Sequence, residues 1–126
     1  MKLTCIIIDD EPLARQLLAH FANQTDGVQV IGSYDNAGIF LENIKDYNDN
    51  LDIVFLDLQM RQQTGVEVLE QIKWSNIKVV ITSAYPASFL QNLHLPYFEW
   101  LQKPIRYETF VATLEKVWEE KVRNNN

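Results

Sequence analysis

Cysteine, histidine and basic residues are all scarce in this chain, and each shortage excludes something. A single Cys5 permits no disulfide framework, and its place inside an apolar run makes it a core residue. With no disulfides to protect, the default expectation is a cytoplasmic protein. The two histidines, His20 and His94, stand far apart with no Cys or His at ligand spacing, which argues against a zinc-type site. Eleven Lys and Arg face seventeen Asp and Glu, for a net charge of −6. Phosphate contacts need clustered cations, so nucleic-acid binding by this segment is not expected. The only basic grouping, Lys116, Lys121 and Arg123, is diffuse and sits in an otherwise acidic helix. No apolar stretch approaches bilayer length, so no membrane association is expected. "MKLTCIII" lacks the long apolar region and cleavage site of a signal peptide.

What is present suits one domain with one core: 126 residues, 47% of them hydrophobic. Apolar runs rich in β-branched residues recur at Leu3–Ile8, Val28–Gly32, Leu51–Leu56, Ile77–Thr82 and, more weakly, Tyr97–Leu101. Between them apolar residues fall at helical spacing: Leu13, Leu17 and Phe21; Ala37, Phe40, Ile44 and Tyr47; Val66, Leu69 and Ile72. A fourth, weaker helix is expected within "PASFLQNLHLP", bracketed by Pro86 and Pro96. The last helix, Tyr107 to Val122, carries Phe110, Leu114 and Val117 on one stripe, with Val111, Trp118 and Val122 beside it. That arc is wide enough to leave part of the face for a partner. The domain is expected to span residues 1–123, with the Asn run at 124–126 a frayed end or the start of a linker.

The order is thus β-α five times over. Strands that are apolar without alternation belong to a parallel sheet covered on both faces. Right-handed crossovers then predict a doubly wound, flavodoxin-like α/β fold, five strands in the order 2-1-3-4-5 with five helices, and ligands at the carboxyl ends of the strands.

Two of those ends carry acid. Ile6-Ile7-Ile8 runs into Asp9 and Asp10, and Ile53-Val54-Phe55-Leu56 runs into Asp57. A buried strand has no use for a charge unless its end opens onto something. Two like charges about 4 Å apart cost on the order of 4 kcal/mol at an effective dielectric near 20, so something positive must sit between them or one must take up a proton. Lys103, after the fifth strand, is a fixed cation. Three carboxylates and one lysine leave −2, which a divalent cation cancels. An all-carboxylate donor set favours Mg²⁺. A hydroxyl arrives at the fourth strand end, from Thr82 or Ser83. Carboxylate, Mg²⁺, hydroxyl and ammonium together suit a phosphoryl group, with Asp57 as nucleophile forming an acyl phosphate. Each residue also has a plainer explanation: Asp10 as a helix N-cap before Pro12, Asp57 as the start of a loop, Ser83 as a turn residue, Lys103-Pro104 as a connection. Four strand ends with complementary chemistry are harder to dismiss than any one of them.

The strings "IIIDDEP", "IVFLDLQM", "ITSAY" and "WLQKPI" resemble the four signatures of response-regulator receiver domains from two-component signalling, over essentially the whole chain. "DDEPLAR" and the hydroxyl-to-lysine spacing look most like the LytTR (LytR/AlgR) group. The resemblance implies a histidine kinase as phosphodonor and Asp57 as phosphoacceptor. It implies Mg²⁺ held by Asp10, Asp57 and the Gln59 carbonyl, with Asp9 acting through water. It also implies a cis Lys103–Pro104 bond, Lys103 against the phosphoryl oxygens, and Trp100 in the place of the switch aromatic. The family's twenty-residue gap from hydroxyl to lysine, with a small residue after the hydroxyl, selects Ser83. In the LytTR group, output runs through a C-terminal DNA-binding domain, so DNA would be reached outside this segment; a stand-alone receiver is the alternative. Two positions depart from the pattern: Arg61 where proline is usual, and Pro96-Tyr97 where Gly-Ala is usual. Activation is expected to work through the fourth helix, fifth strand and fifth helix, by forming a homodimer.

Two rivals share the architecture. A haloacid-dehalogenase-like phosphatase needs a second acid two residues after its nucleophile, where this chain has Gln59. A flavodoxin-type electron carrier needs a phosphate-cradling loop after the first strand, where "DDEP" would repel the FMN phosphate.

Overall fold

A computed structural model describes residues 1–58, 64–72, 75–88 and 95–125. Five strands, β1 (Leu3–Ile8), β2 (Val28–Tyr34), β3 (Ile53–Asp57), β4 (Lys78–Ser83) and β5 (Glu99–Gln102), form one sheet in the order β2-β1-β3-β4-β5. Every pairing is parallel. The helices are α1 (Pro12–Asn23), α2 (Ala37–Asn43), α3 (Thr64–Ile72) and α4 (Tyr107–Asn124). The described residues thus hold four α-helices where the sequence predicts five, and most of the segment expected to form the other, residues 89–94, lies outside them. Among the described residues no helix is long and apolar enough to cross a membrane.

The apolar runs are continuous because the sheet buries both faces. Cys5, Ile7, Phe55 and Val80 pack with Leu18 of α1 and Phe110 and Leu114 of α4. Ile6, Ile8, Val54, Leu56 and Ile81 point the other way, against Phe40 of α2 and Leu69 and Ile72 of α3. Successive strand residues alternate faces, so each run must be apolar at every position. Phe55 and Phe110 stack at the centre of the first cluster, ring centroids 5.4 Å apart.

Helix starts and ends follow local chemistry. Pro12 opens α1, where a missing N–H costs nothing. Asp10 is not its N-cap: that position is Glu11, which makes no side-chain capping bond, so the capping explanation for Asp10 fails. Asn36 caps α2, its Oδ1 accepting from the Gly38 N–H at 2.6 Å. The helix expected to run on to Tyr47 ends at Asn43 and continues as two short 3₁₀ turns, Ile44–Asp46 and Asn48–Asn50. Asn43, Asp46, Asp49 and Asn50 explain this, because short polar side chains compete for the backbone bonds a helix needs. On α1 Leu18 and Ala22 are buried and Phe21 packs against the same core, while Leu13 is 78% exposed. The α4 helix extends through Asn124. Its second stripe is largely used internally, with Val111 and Trp118 packed against the first cluster.

The three basic residues near the C-terminus are spent on acids of this chain. Lys116 pairs with Glu99 at 3.3 Å, Lys121 with Asp52 at 3.2 Å and Arg123 with Glu120 at 2.7 Å. Gly27 has φ +86°, and a Cβ there would lie 1.8 Å from the Met1 carbonyl oxygen, so only glycine fits the turn into β2.

Candidate functional site at the strand ends

The β1 ladder ends at Ile8, which pairs with Tyr34 on one side and Leu56 on the other. Asp9 follows at once, its N–H donating to the Tyr34 carbonyl at 3.0 Å, and is 1% exposed. Asp57 is the last residue of β3 and equally buried, while Asp10 is exposed. One carboxylate oxygen from each of Asp9, Asp10 and Asp57 lies within 4.8 Å of the others. The doubly wound topology therefore brings the three predicted acids together. An all-oxygen set of this charge fits a hard divalent cation and is a poor match for zinc or copper.

Lys103 enters the same crevice from the end of β5. Its Nζ donates to Asp9 Oδ2 at 2.8 Å and lies 3.6 Å from Asp57 Oδ2. Partial burial works against the ammonium charge, but the Asp9 hydrogen bond and the charges of Asp57, Asp9 and Glu11 outweigh it, so its pKa lies above the ordinary lysine value. The lysine's own N–H donates to the Ser83 carbonyl at 2.6 Å, tying β5 to β4 where both end. The Lys103–Pro104 peptide bond is cis, as the resemblance implies.

Both candidate hydroxyls are buried, Thr82 at 1% and Ser83 at 2% exposure. In the ladder Thr82, rather than Ser83, sits level with Asp57. The Ser83 hydroxyl accepts from the Tyr85 N–H at 3.0 Å. Trp100, half-buried on β5, donates its indole N–H to the Tyr85 carbonyl at 2.9 Å. Its ring meets Tyr97 edge-on, centroids 5.5 Å apart, so the Pro96-Tyr97 departure falls directly against Trp100. Gln59 and Arg61 lie outside the described residues, as do residues 89–94 between β4 and β5.

The sequence pattern alone gives one residue beside these acids no role. Arg15, on the first turns of α1, donates Nη1 to the Asp9 carbonyl at 2.7 Å. Its signal was its position in "DDEPLAR", but hydrophobic periodicity says nothing about a polar residue that reaches backwards off a helix. Two cavities, of about 480 and 690 Å³, lie elsewhere, on either side of the Lys121–Asp52 pair. Neither is lined by the strand-end acids.

The profile of the response regulator receiver domain matches residues 5–115. The chain belongs to the response regulator receiver family. An uncharacterized response regulatory protein of Vibrio vulnificus is 35% identical to this receiver over 116 residues, covering 91% of the chain and 47% of that protein. The sensory transduction protein LytT of Bacillus anthracis is 31% identical over 121 residues, covering 94% and 48%. The receiver spans about half the length of these curated relatives. Among solved structures, the response regulatory domain of mrkE from Klebsiella pneumoniae superposes with a TM-score of 0.80 at 23% identity, covering 94% of this chain and 97% of that one. The signal receiver domain of a modulated diguanylate cyclase from Desulfovibrio desulfuricans G20 gives 0.81 at 20% identity, covering 98% and 99%. The predicted sheet order is that of this receiver.

Proposed function

We propose that this receiver accepts a phosphoryl group from a histidine kinase onto Asp57, and that this switches an output. One observation carries the reading: a carboxylate 1% exposed at the end of β3, grouped with two further acids and 3.6 Å from a lysine. An Asp57 oxygen attacks phosphorus while the bond from phosphorus to the donor's imidazole nitrogen breaks, and the electron pair leaves with the imidazole. The product is an acyl phosphate on Asp57. Lys103 then turns from Asp9 toward the phosphoryl oxygens. Ser83 gives up the Tyr85 N–H and donates its hydroxyl to one of them. A strand rises roughly 3.3 Å per residue, so a group carried beyond Asp57 stands level with Ser83 rather than with its ladder neighbour Thr82. Asp10, Asp57 and the Gln59 carbonyl would hold Mg²⁺, with Asp9 acting through water; the bound ion supplies positive charge against the incoming phosphoryl oxygens. The domain is not a turnover enzyme and catalyses only its own phosphorylation and dephosphorylation, in the cytoplasm.

Acetyl phosphate with Mg²⁺ is expected to add one phosphoryl mass, and a chelator to prevent it. Ser83→Ala is expected to slow the labelling, with Thr82→Val close to wild type. Labelling that ignores the chelator, or that is slowed by Thr82→Val alone, would overturn the assignment.

The LytT relatives support a LytTR-type output, transcription through a DNA-binding domain outside this segment; a stand-alone receiver acting by protein contact is the alternative. Activation is proposed to favour a homodimer through the face made by residues 86–96, β5 and α4. Ser83 and Trp100 hold the same residue, Tyr85, by its N–H and its carbonyl. Moving Ser83 therefore loosens the turn that fixes the indole. Beryllofluoride with Mg²⁺ is expected to shift tryptophan emission and to double the mass in light scattering, and Trp100→Phe to remove most of the emission change. A flat response with Asp57 occupied would place the switch elsewhere.

A further inference from the structure

Asp9 is held from every side. Its Oδ1 accepts from the Glu11 N–H at 2.9 Å, its Oδ2 from Lys103 at 2.8 Å, and its N–H donates to Tyr34 at 3.0 Å. Its carbonyl oxygen lies past the end of the β1 ladder and has no strand partner there. Arg15 satisfies it with a charge-assisted bond of 2.7 Å. Helical side chains point back toward the N-terminus, and the Arg15 N–H already bonds the Glu11 carbonyl at 3.2 Å, so the guanidinium is delivered to the turn before the helix. Among the described residues Arg15 makes no ion pair, and its guanidinium's hydrogen bond goes to a backbone oxygen.

That oxygen belongs to the peptide joining Asp9 to Asp10. Fixing it fixes the peptide plane, and with it the direction in which the Asp10 side chain leaves the backbone. Asp10 has no side-chain hydrogen bond of its own among the described residues and is exposed, yet one of its oxygens lies within 4.8 Å of two buried carboxylates. We propose that Arg15 is the positioning residue that aims Asp10 into the carboxylate group by clamping the Asp9 carbonyl, and so sets this receiver's affinity for a divalent cation. The inference rests on the phosphoacceptor reading.

A guanidinium this near three acids has two opposed effects, and their sign is measurable. Acting only as a nearby positive charge, Arg15 would weaken cation binding, and Arg15→Gln would tighten it. As a positioning residue it strengthens binding, and its loss is expected to weaken Mg²⁺ about ten-fold, the usual scale for a partner one step removed from a ligand. The experiment is a Mg²⁺ titration of the unphosphorylated chain by calorimetry or tryptophan emission, for wild type, Arg15→Gln, Arg15→Lys and Asp10→Asn. Arg15→Lys, which can still reach the carbonyl, is expected to recover binding to within about three-fold of wild type. In acetyl phosphate labelling, Arg15→Gln is expected to raise the Mg²⁺ needed for half-maximal rate while leaving the rate at saturating Mg²⁺ within about three-fold. Unchanged or tighter binding in Arg15→Gln, with wild type binding Mg²⁺ and Asp10→Asn not, overturns the positioning role alone. Wild type that binds no Mg²⁺ overturns the reading beneath it. If Arg15→Gln does not fold, Arg15→Met takes its place: weakened Mg²⁺ binding supports positioning, and unchanged or tighter binding overturns it.

Discussion

Asp57→Asn is expected to abolish phosphorylation by acetyl phosphate while leaving the fold intact. The substitution keeps shape and removes only the charged oxygen, so the buried end of β3 still fills its place. An amide is not a nucleophile toward phosphorus under these conditions. Because Asp57 is one of three clustered acids, neutralising it also relieves repulsion, and the variant's Tm is expected not to fall below that of wild type. That separates loss of chemistry from loss of structure. Asp10→Asn is the graded counterpart: it keeps the nucleophile and is expected to raise the Mg²⁺ requirement by about ten-fold or more. Intact-mass spectrometry on the three proteins decides it. Undiminished label on another side chain in Asp57→Asn would move the phosphoacceptor elsewhere.

The parts of this architecture that were legible in the sequence are those written in residue type along the chain. Ile6-Ile7-Ile8 and Ile53-Val54-Phe55-Leu56 announce strands covered on both faces, because a half-exposed strand would alternate. Topology then places Asp9, Asp10, Asp57 and Lys103 together without further assumption. What stayed hidden depends on geometry between elements. Spacing marks Leu13, Leu17 and Phe21 as a stripe; Phe21 does pack on the core, but Leu13 and Leu17 are exposed, and Leu18 and Ala22 are the α1 residues fully buried. An apolar arc wider than one stripe does not say which edge packs. The register that sets Thr82 beside Asp57 is a property of the β3–β4 pair, and no single strand encodes it. Arg15 was invisible for a third reason: its partner is a backbone oxygen, which every residue has.

Lys103→Met is expected to destabilise the unphosphorylated protein by about 2–3 kcal/mol in the absence of divalent cations, a fall in Tm of roughly 10 °C for a domain of this size. The reason is what remains behind. Asp9 and Asp57 are each 1% exposed and both lie against this ammonium, 2.8 Å from the first and 3.6 Å from the second. Breaking a buried pair by removing one member usually costs more, about 3–5 kcal/mol, because it leaves an uncompensated charge. The lysine side chain is 20% exposed, so water already screens part of the interaction and the lower figure applies. Methionine keeps most of the side chain's length, which confines the change to charge. The pH dependence follows from the sign of the shift. The folded-state pKa of Lys103 is raised, so its stabilisation is complete at neutral pH and is lost only as pH climbs beyond the ordinary lysine value of 10.5 through the raised one. Wild type and Lys103→Met are therefore expected to differ by a constant margin between pH 7 and 9, on the order of the full 2–3 kcal/mol, and to converge in strong alkali. Adding Asp9→Asn to Lys103→Met is expected to restore most of the loss, since it removes the repulsion that the lysine had been holding in check. Thermal melts of the single and double variants across that range are the measurement. A Lys103→Met protein within about 2 °C of wild type at pH 7 would mean that the strand-end acids tolerate one another unaided, which the Coulomb energy at this separation does not allow unless one of them carries a proton.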